Sequence, residues 1–152
     1  MAIARGEGDR LYVLSRGLEF LPQSRRVTIC TLDDEYISEF GRGVTREYEA
    51  SAAPPDGAFV WPVSIALDRT SNVYIADEWA NRISMFTKDG EWVGKWGTPG
   101  DGDGEINCPS GLAFDAEDNL YLVDSLNHRI QKFTKDGKFL NKWGHAGDGD
   151  GD

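Results

Sequence analysis

Pro109-Ser110-Gly111-Leu112-Ala113-Phe114-Asp115 is a second writing of Pro62-Val63-Ser64-Ile65-Ala66-Leu67-Asp68. The match runs on through Asn72–Asp77 and Asn119–Asp124, Arg82-Ile83 and Arg129-Ile130, and Lys95-Trp96-Gly97 and Lys142-Trp143-Gly144. Phe86-Thr87-Lys88-Asp89-Gly90 returns letter for letter at 133–137, and Gly100-Asp101-Gly102-Asp103-Gly104 at 147–151. Every match is displaced by 47 positions, as Pro62 is from Pro109 and Lys95 from Lys142. A fixed period of that size, built of short apolar runs between turn residues, predicts a propeller or another stacked array.

A third, worn copy precedes these two. Ile3-Ala4 matches Ile65-Ala66 and Leu11–Leu14 matches Val73–Ala76, both 62 positions apart, whereas Arg26–Ile29 matches Arg82–Met85 at 56. The drop of six places an insertion in the loop between Ser15 and Arg25. Each copy holds four short runs rich in β-branched and aromatic residues, and no stretch keeps helical periodicity for three turns. In the last copy the strands are expected over 111–115, 120–124, 129–134 and 139–143. Thr-Lys-Asp-Gly at 87–90 and 134–137 suits a hairpin whose glycine takes the positive φ. The turns ending Ser71-Asn72 and Asp118-Asn119 use Asn and Asp, which tolerate the left-handed region. Residues 42–60, with Pro54-Pro55-Asp56-Gly57, read as a surface connector. The units are then 1–50 (degenerate first blade and the start of the connector), 51–105 (connector and second blade) and 106–152 (third blade).

One four-stranded sheet cannot hide both faces, whereas blades stacked face to face around an axis can. The expected fold is all-β: a β-propeller arc of about three four-stranded antiparallel blades, a fragment or half of a six-bladed propeller. Tyr36, Trp92 and Phe139, and Phe40, Trp96 and Trp143, recur at one phase and are expected to pack between blades. A carbohydrate- or base-stacking platform is the alternative for them.

With 26 acidic against 16 basic side chains the formal charge is −10, the wrong sign for phosphate backbones, so no nucleic acid is expected as partner. No apolar run is long enough for a membrane helix, and residues 1–10 lack the apolar core of a signal peptide. No membrane partner is expected, and the default compartment is cytoplasmic. Cys30 and Cys108 lack metal-ligand spacing and are expected as buried free thiols. Neither a Gly-x-Ser-x-Gly elbow nor a phosphate loop occurs.

Pro109-x-Gly111-Leu112-Ala113-Phe114-Asp115, then Asn119–Asp124, then Asn127-His128-Arg129-Ile130-Gln131-Lys132-Phe133 and Asp136-Gly137, resembles the NHL-repeat β-propeller family, of the six-bladed TolB-like class. The second copy departs by Ala80-Asn81 in place of Asn127-His128, and the first by Ser15 in place of the strand-ending Asp. Six blades in the family against about three here implies a part of a longer chain, or a homodimer closing a six-blade ring head to tail.

The resemblance implies that the loops between strands two and three, and from blade to blade, share one rim. A protein or small-molecule ligand is expected there, and the candidate residues are Asp77, Trp79, Arg82, Asp124, His128 and Arg129. Each Asp ends a strand and its Arg begins the next, so the pair either fixes the loop or clamps a ligand carboxylate. His128 stands where the family motif has His, which implies a hydrogen-bonding, structural role. No catalytic residue, metal or cofactor is assigned. His128 and His145 fall short of the three or four ligands that zinc takes. Asp101, Asp103 and Glu105 begin like a calcium loop, but Ile106 holds the glycine position and Leu112 the place of the bidentate Glu. The function implied is a non-catalytic binding, sensing or protein-interaction scaffold. The alternative is part of a propeller enzyme, similar to peptide-amidating lyases or to lactonases and hydrolases, with metal ligands in other blades. The zinc histidine of amidating lyases follows a blade-opening proline, where this chain has Val63 and Ser110.

Overall fold

A computed structural model describes residues 1–17, 21–44 and 54–147. The second Gly-Asp-Gly-Asp run beyond Gly147, and connector residues 45–53, lie outside the described residues. Blade one is β1 (Ala2–Arg5), β2 (Arg10–Ser15), β3 (Arg26–Thr31) and β4 (Tyr36–Phe40). A two-residue β5 (Arg42–Gly43) pairs in parallel with β6 (Ala58–Phe59). Blade two is β7 (Pro62–Leu67), β8 (Val73–Asp77), β9 (Arg82–Phe86) and β10 (Trp92–Trp96). After a second parallel pair, β11 (Thr98–Pro99) with β12 (Glu105–Ile106), blade three is β13 (Pro109–Phe114), β14 (Asn119–Asp124), β15 (Arg129–Thr134) and β16 (Phe139–Trp143). Each blade is a four-stranded antiparallel meander in chain order.

The sequence offsets are also structural ones. Ser15 faces Arg26, Asp77 faces Arg82, and Asp124 faces Arg129, so the six-residue insertion is absorbed in the first blade's loop. A bulge recurs between the third and fourth strands, where the ladder skips Ile37, Val93 and Leu140. Those three are exposed, because the extra residue of a bulge leaves the pleat.

Alternation along each strand gives two faces, and both are apolar where blades meet. Tyr12, Leu14, Val27 and Ile29 of blade one close on Val73, Ile75 and Phe86 of blade two. Tyr74, Ala76 and Ile83 on the other face of blade two close on Leu120, Leu122 and Phe133 of blade three. Burying each branched aliphatic side chain of this kind contributes about 1.5–3 kcal/mol. The connectors add Phe59 to the first joint and Ile106 to the second. The first strands lie nearest one another: β7 touches both β1 and β13, and Ser64 Oγ accepts Leu112 N–H at 3.1 Å. Phe40, Trp92, Trp96 and Phe139 pack against the joints as the repeated phase predicts. Tyr36 is 65% exposed and Trp143 46% exposed on the two outer faces. The left-handed residue is Asp118 in one turn, as its sequence suggests, but Ser71 rather than Asn72 in the other. Cys30 and Cys108 are free and half-buried, less enclosed than expected.

Candidate functional site

Asp124 closes β14 with no exposure and gathers four donors. They are Asn107 N–H at 2.6 Å, Asn127 Nδ2 at 2.9 Å, Arg129 Nε at 2.7 Å and Gln131 Nε2 at 2.9 Å. Arg129 spends three of its four other N–H donors on the carbonyls of Asp101, Gly102 and Glu105, each at 2.8 Å. The pair is an ion pair and also a clip: it staples the connector from blade two onto the blade that follows. A guanidinium used this fully has no fork left for a ligand carboxylate.

Blade two builds the same clip with fewer parts. Asp77 accepts the backbone N–H groups of Val60 (2.7 Å), Trp61 (2.8 Å) and Ala80 (3.2 Å). Burial pushes its carboxyl above the usual range, against the pull of those three bonds and of Arg82. Arg82 grips the connector carbonyls of Pro54 (3.1 Å) and Ala58 (2.6 Å), and burial lowers its pKa. Unlike Arg129 and Asp124, Arg82 and Asp77 form no ion pair, and Arg82 Nε and Ser84 Oγ have no hydrogen-bond partner among the described residues. In blade one Arg26, the residue in register with Arg82, is exposed and pairs with Glu39 at 3.1 Å. The buried guanidinium there belongs to Arg25, which donates to Val44 O at 3.3 Å.

The clips display what lies beside them. By fixing the N–H of Trp61 and of Ala80, Asp77 sets the two ends of an indole pair: Trp61 and Trp79 stack at 4.8 Å with 13° between planes. Trp79 is 49% exposed, and the Arg16 guanidinium sits 4.6 Å over the Trp61 ring. Trp79 was expected at this rim; Trp61 and Arg16 were not. The available signal was departure from the repeat, since the residues 47 places on are Cys108 and Leu126.

His128 is exposed and left-handed (φ 52°), closing the short 3-10 turn Ser125–Asn127 with its N–H on Ser125 O. Asn81, its counterpart in blade two, is also left-handed, and its Oδ1 accepts Cys108 N–H at 2.7 Å in the next connector. His128 and Arg129 line an open groove of about 510 Å³ on the outer face of blade three, with Val123, Ile130 and Trp143. The carboxylates of Asp101, Asp103 and Glu105 do not converge. Asp103 pairs with Lys142, Glu105 accepts Gly102 N–H at 2.9 Å, and the loop's carbonyls face Arg129. Among the described residues no three His, Cys, Asp or Glu side chains are placed to hold a metal ion.

Residues 107–133, which span the Asp124 clip and its loop, match the model of the NHL repeat. This segment is an NHL repeat. No curated protein sequence matches the chain. Among solved structures, a catalytically inactive virginiamycin B lyase from Staphylococcus aureus with quinupristin aligns over 99% of this chain and 43% of its own, at TM-score 0.63 and 17% identity. A streptogramin B lyase aligns over 95% of this chain and 40% of its own, at 0.64 and 14%. A protein of unknown function from Bacteroides caccae aligns over 96% and 46%, at 0.59 and 12%. The chain therefore spans less than half the length of each, and the likeness is one of fold: a propeller arc, with an NHL repeat at 107–133.

Proposed function

We propose that this NHL propeller arc is a non-catalytic recognition module whose contact surface is the Trp61–Trp79 stack with Arg16 beside it. One observation carries the reading. The Asp–Arg clips of the rim turn their polar groups inward, Asp77 onto backbone N–H groups, Asp124 onto its own blade's side chains and both arginines onto connector carbonyls, while Trp79 stays half-exposed in an already ordered stack. An aromatic anchor ordered before binding loses little entropy on contact. The guanidinium next to it suits a carboxylate. A protein segment presenting a flat side chain and an acidic group is the ligand this surface fits, in keeping with a field hostile to nucleic acid. Peptides selected by display on the whole chain test it. Trp79→Ala should weaken the selected binders about thirtyfold, a loss of about 2 kcal/mol. Binders indifferent to both Trp79→Ala and Arg16→Ala would overturn it.

A second reading is favoured by the lyase neighbours: the arc as part of a propeller enzyme. Incubation with quinupristin, followed chromatographically, separates the two, because consumption of the compound by the chain contradicts a non-catalytic role.

A further inference from the structure

Both joints between blades share a contact at the hairpin apex. Gly90, at φ 90°, lies against the Phe40 ring so closely that a Cβ there would stand 2.5 Å from Phe40 Cδ1. Gly137, at φ 87°, lies against Trp96, where a Cβ would stand 2.6 Å from Cγ. Beneath each apex the same aromatic meets a phenylalanine: Phe40 with Phe86 at 4.7 Å, and Trp96 with Phe133 at 4.9 Å. The hairpin also lends a carbonyl to the preceding blade. Tyr12 Oη donates to Lys88 O at 2.9 Å, and Trp96 Nε1 to Lys135 O at 3.2 Å. So a blade is received through a glycine, a phenylalanine and a carbonyl at fixed places.

Trp143 is the next aromatic in this series, 46% exposed, and no hairpin covers it among the described residues. Its ring lies on Tyr121 of its own blade at 5.8 Å. Val123 and Ile130, whose counterparts Ala76 and Ile83 are fully buried in the second joint, are 39% and 43% exposed. At the other end of the arc, blade one offers different parts. The hydrogen bonds Thr31 N to Glu35 O and Asp34 N to Thr31 O put Asp34 in the place of Gly90 and Gly137, at φ 66°. Cys30, opposite Tyr36, stands in the place of Phe86 and Phe133.

We propose that the outer face of blade three docks a further four-stranded blade with glycine at its third-to-fourth-strand hairpin apex, and that Asp34 and Cys30 bar a second copy of this chain from that seat. A Cβ at the apex collides with the indole, and the carboxylate beyond it would be buried without a partner, among the costliest things to enclose. Cysteine in place of phenylalanine leaves a void beneath the ring, forfeiting its contacts. The joint inside the molecule is thus the specification for its next neighbour, and the chain's own first blade fails it at two points.

Sedimentation of the whole chain tests this. The wild type is expected at its monomer mass of 16.8 kDa. Cys30→Phe with Asp34→Gly, which supplies both missing parts, is expected at twice that mass or more. Adding Trp143→Ala should return it to the monomer. Asp34→Gly alone serves as the second variant, since its φ is one glycine adopts freely, and it should associate more weakly through the same tryptophan. Wild-type association abolished by Trp143→Ala would overturn the exclusion. Variants that are folded by circular dichroism yet strictly monomeric would overturn the glycine-apex requirement, and if the double variant does not fold, Asp34→Gly alone decides.

Discussion

The two Asp–Arg clips have the same letters at the same spacing and are not the same device. In blade three Asp124 and Arg129 touch, and Asn127 and Gln131 donate to the same carboxylate. In blade two the corresponding residues are Ala80 and Ser84. Neither side chain donates to Asp77, which takes backbone N–H groups instead, that of Ala80 among them, and Arg82 keeps an Nε unmatched among the described residues. A repeated pair therefore does not fix its own bonding; the residues two before and two after the arginine decide it. What both versions keep is the grip of the arginine on the connector.

The difference can be broken at its strong end. Asp124→Ala deprives four donors of their acceptor and leaves a buried guanidinium uncompensated, which should cost about 3–5 kcal/mol in urea unfolding. A loss under about 1 kcal/mol would mean that Arg129 is held by the connector carbonyls alone. It can be sharpened at the weak end. Ala80→Asn with Ser84→Gln copies blade three's donors into blade two and should raise stability by about 1 kcal/mol, read as a later urea midpoint. No gain would mean that Asp77 is saturated by its backbone donors.

The smallest effect separates carboxylates by pH. Lys132 at 2.9 Å, with the Asn119 and Glu117 donors, holds the Asp115 carboxyl well below the usual range. Its contribution is present above the unfolded value near 4 and is lost as pH falls through the depressed one. Asp77, pushed up by burial, runs the other way: its contribution is complete below the unfolded value and lost as pH rises through the folded one. Asp115→Asn should therefore flatten the fall of the urea midpoint below about pH 4 and leave the slope above it unchanged. An unaltered acid slope would rule out the Lys132 contact as its source.

The blades were legible because their signal is local and repeated. Period-two runs, the Thr-Lys-Asp-Gly turns and the offset of 47 placed β15 and β16 at 129–134 and 139–143, where the structure has them. The parallel pairs of β5 with β6 and β11 with β12 were not legible, since two residues carry no periodicity and their pairing depends on where the blades lie. The site was legible in part. Asp124 and Arg129 do meet across their loop, whereas the sequence gives no reason why Arg25 rather than Arg26 turns inward. Trp61 was hidden for the opposite reason: it is a departure, and reading for sameness passes over departures.

The arginine grips have a mechanical corollary. Arg129 and Gln131 hold the carbonyls of Asp101, Gly102 and Glu105, and Ile106 is sunk in the core beyond them. A protease that nicked the exposed Gly102–Asp103 bond would leave ends that are each still fastened. The severed halves would migrate together as one particle, parting only when denaturant loosens the faces between them.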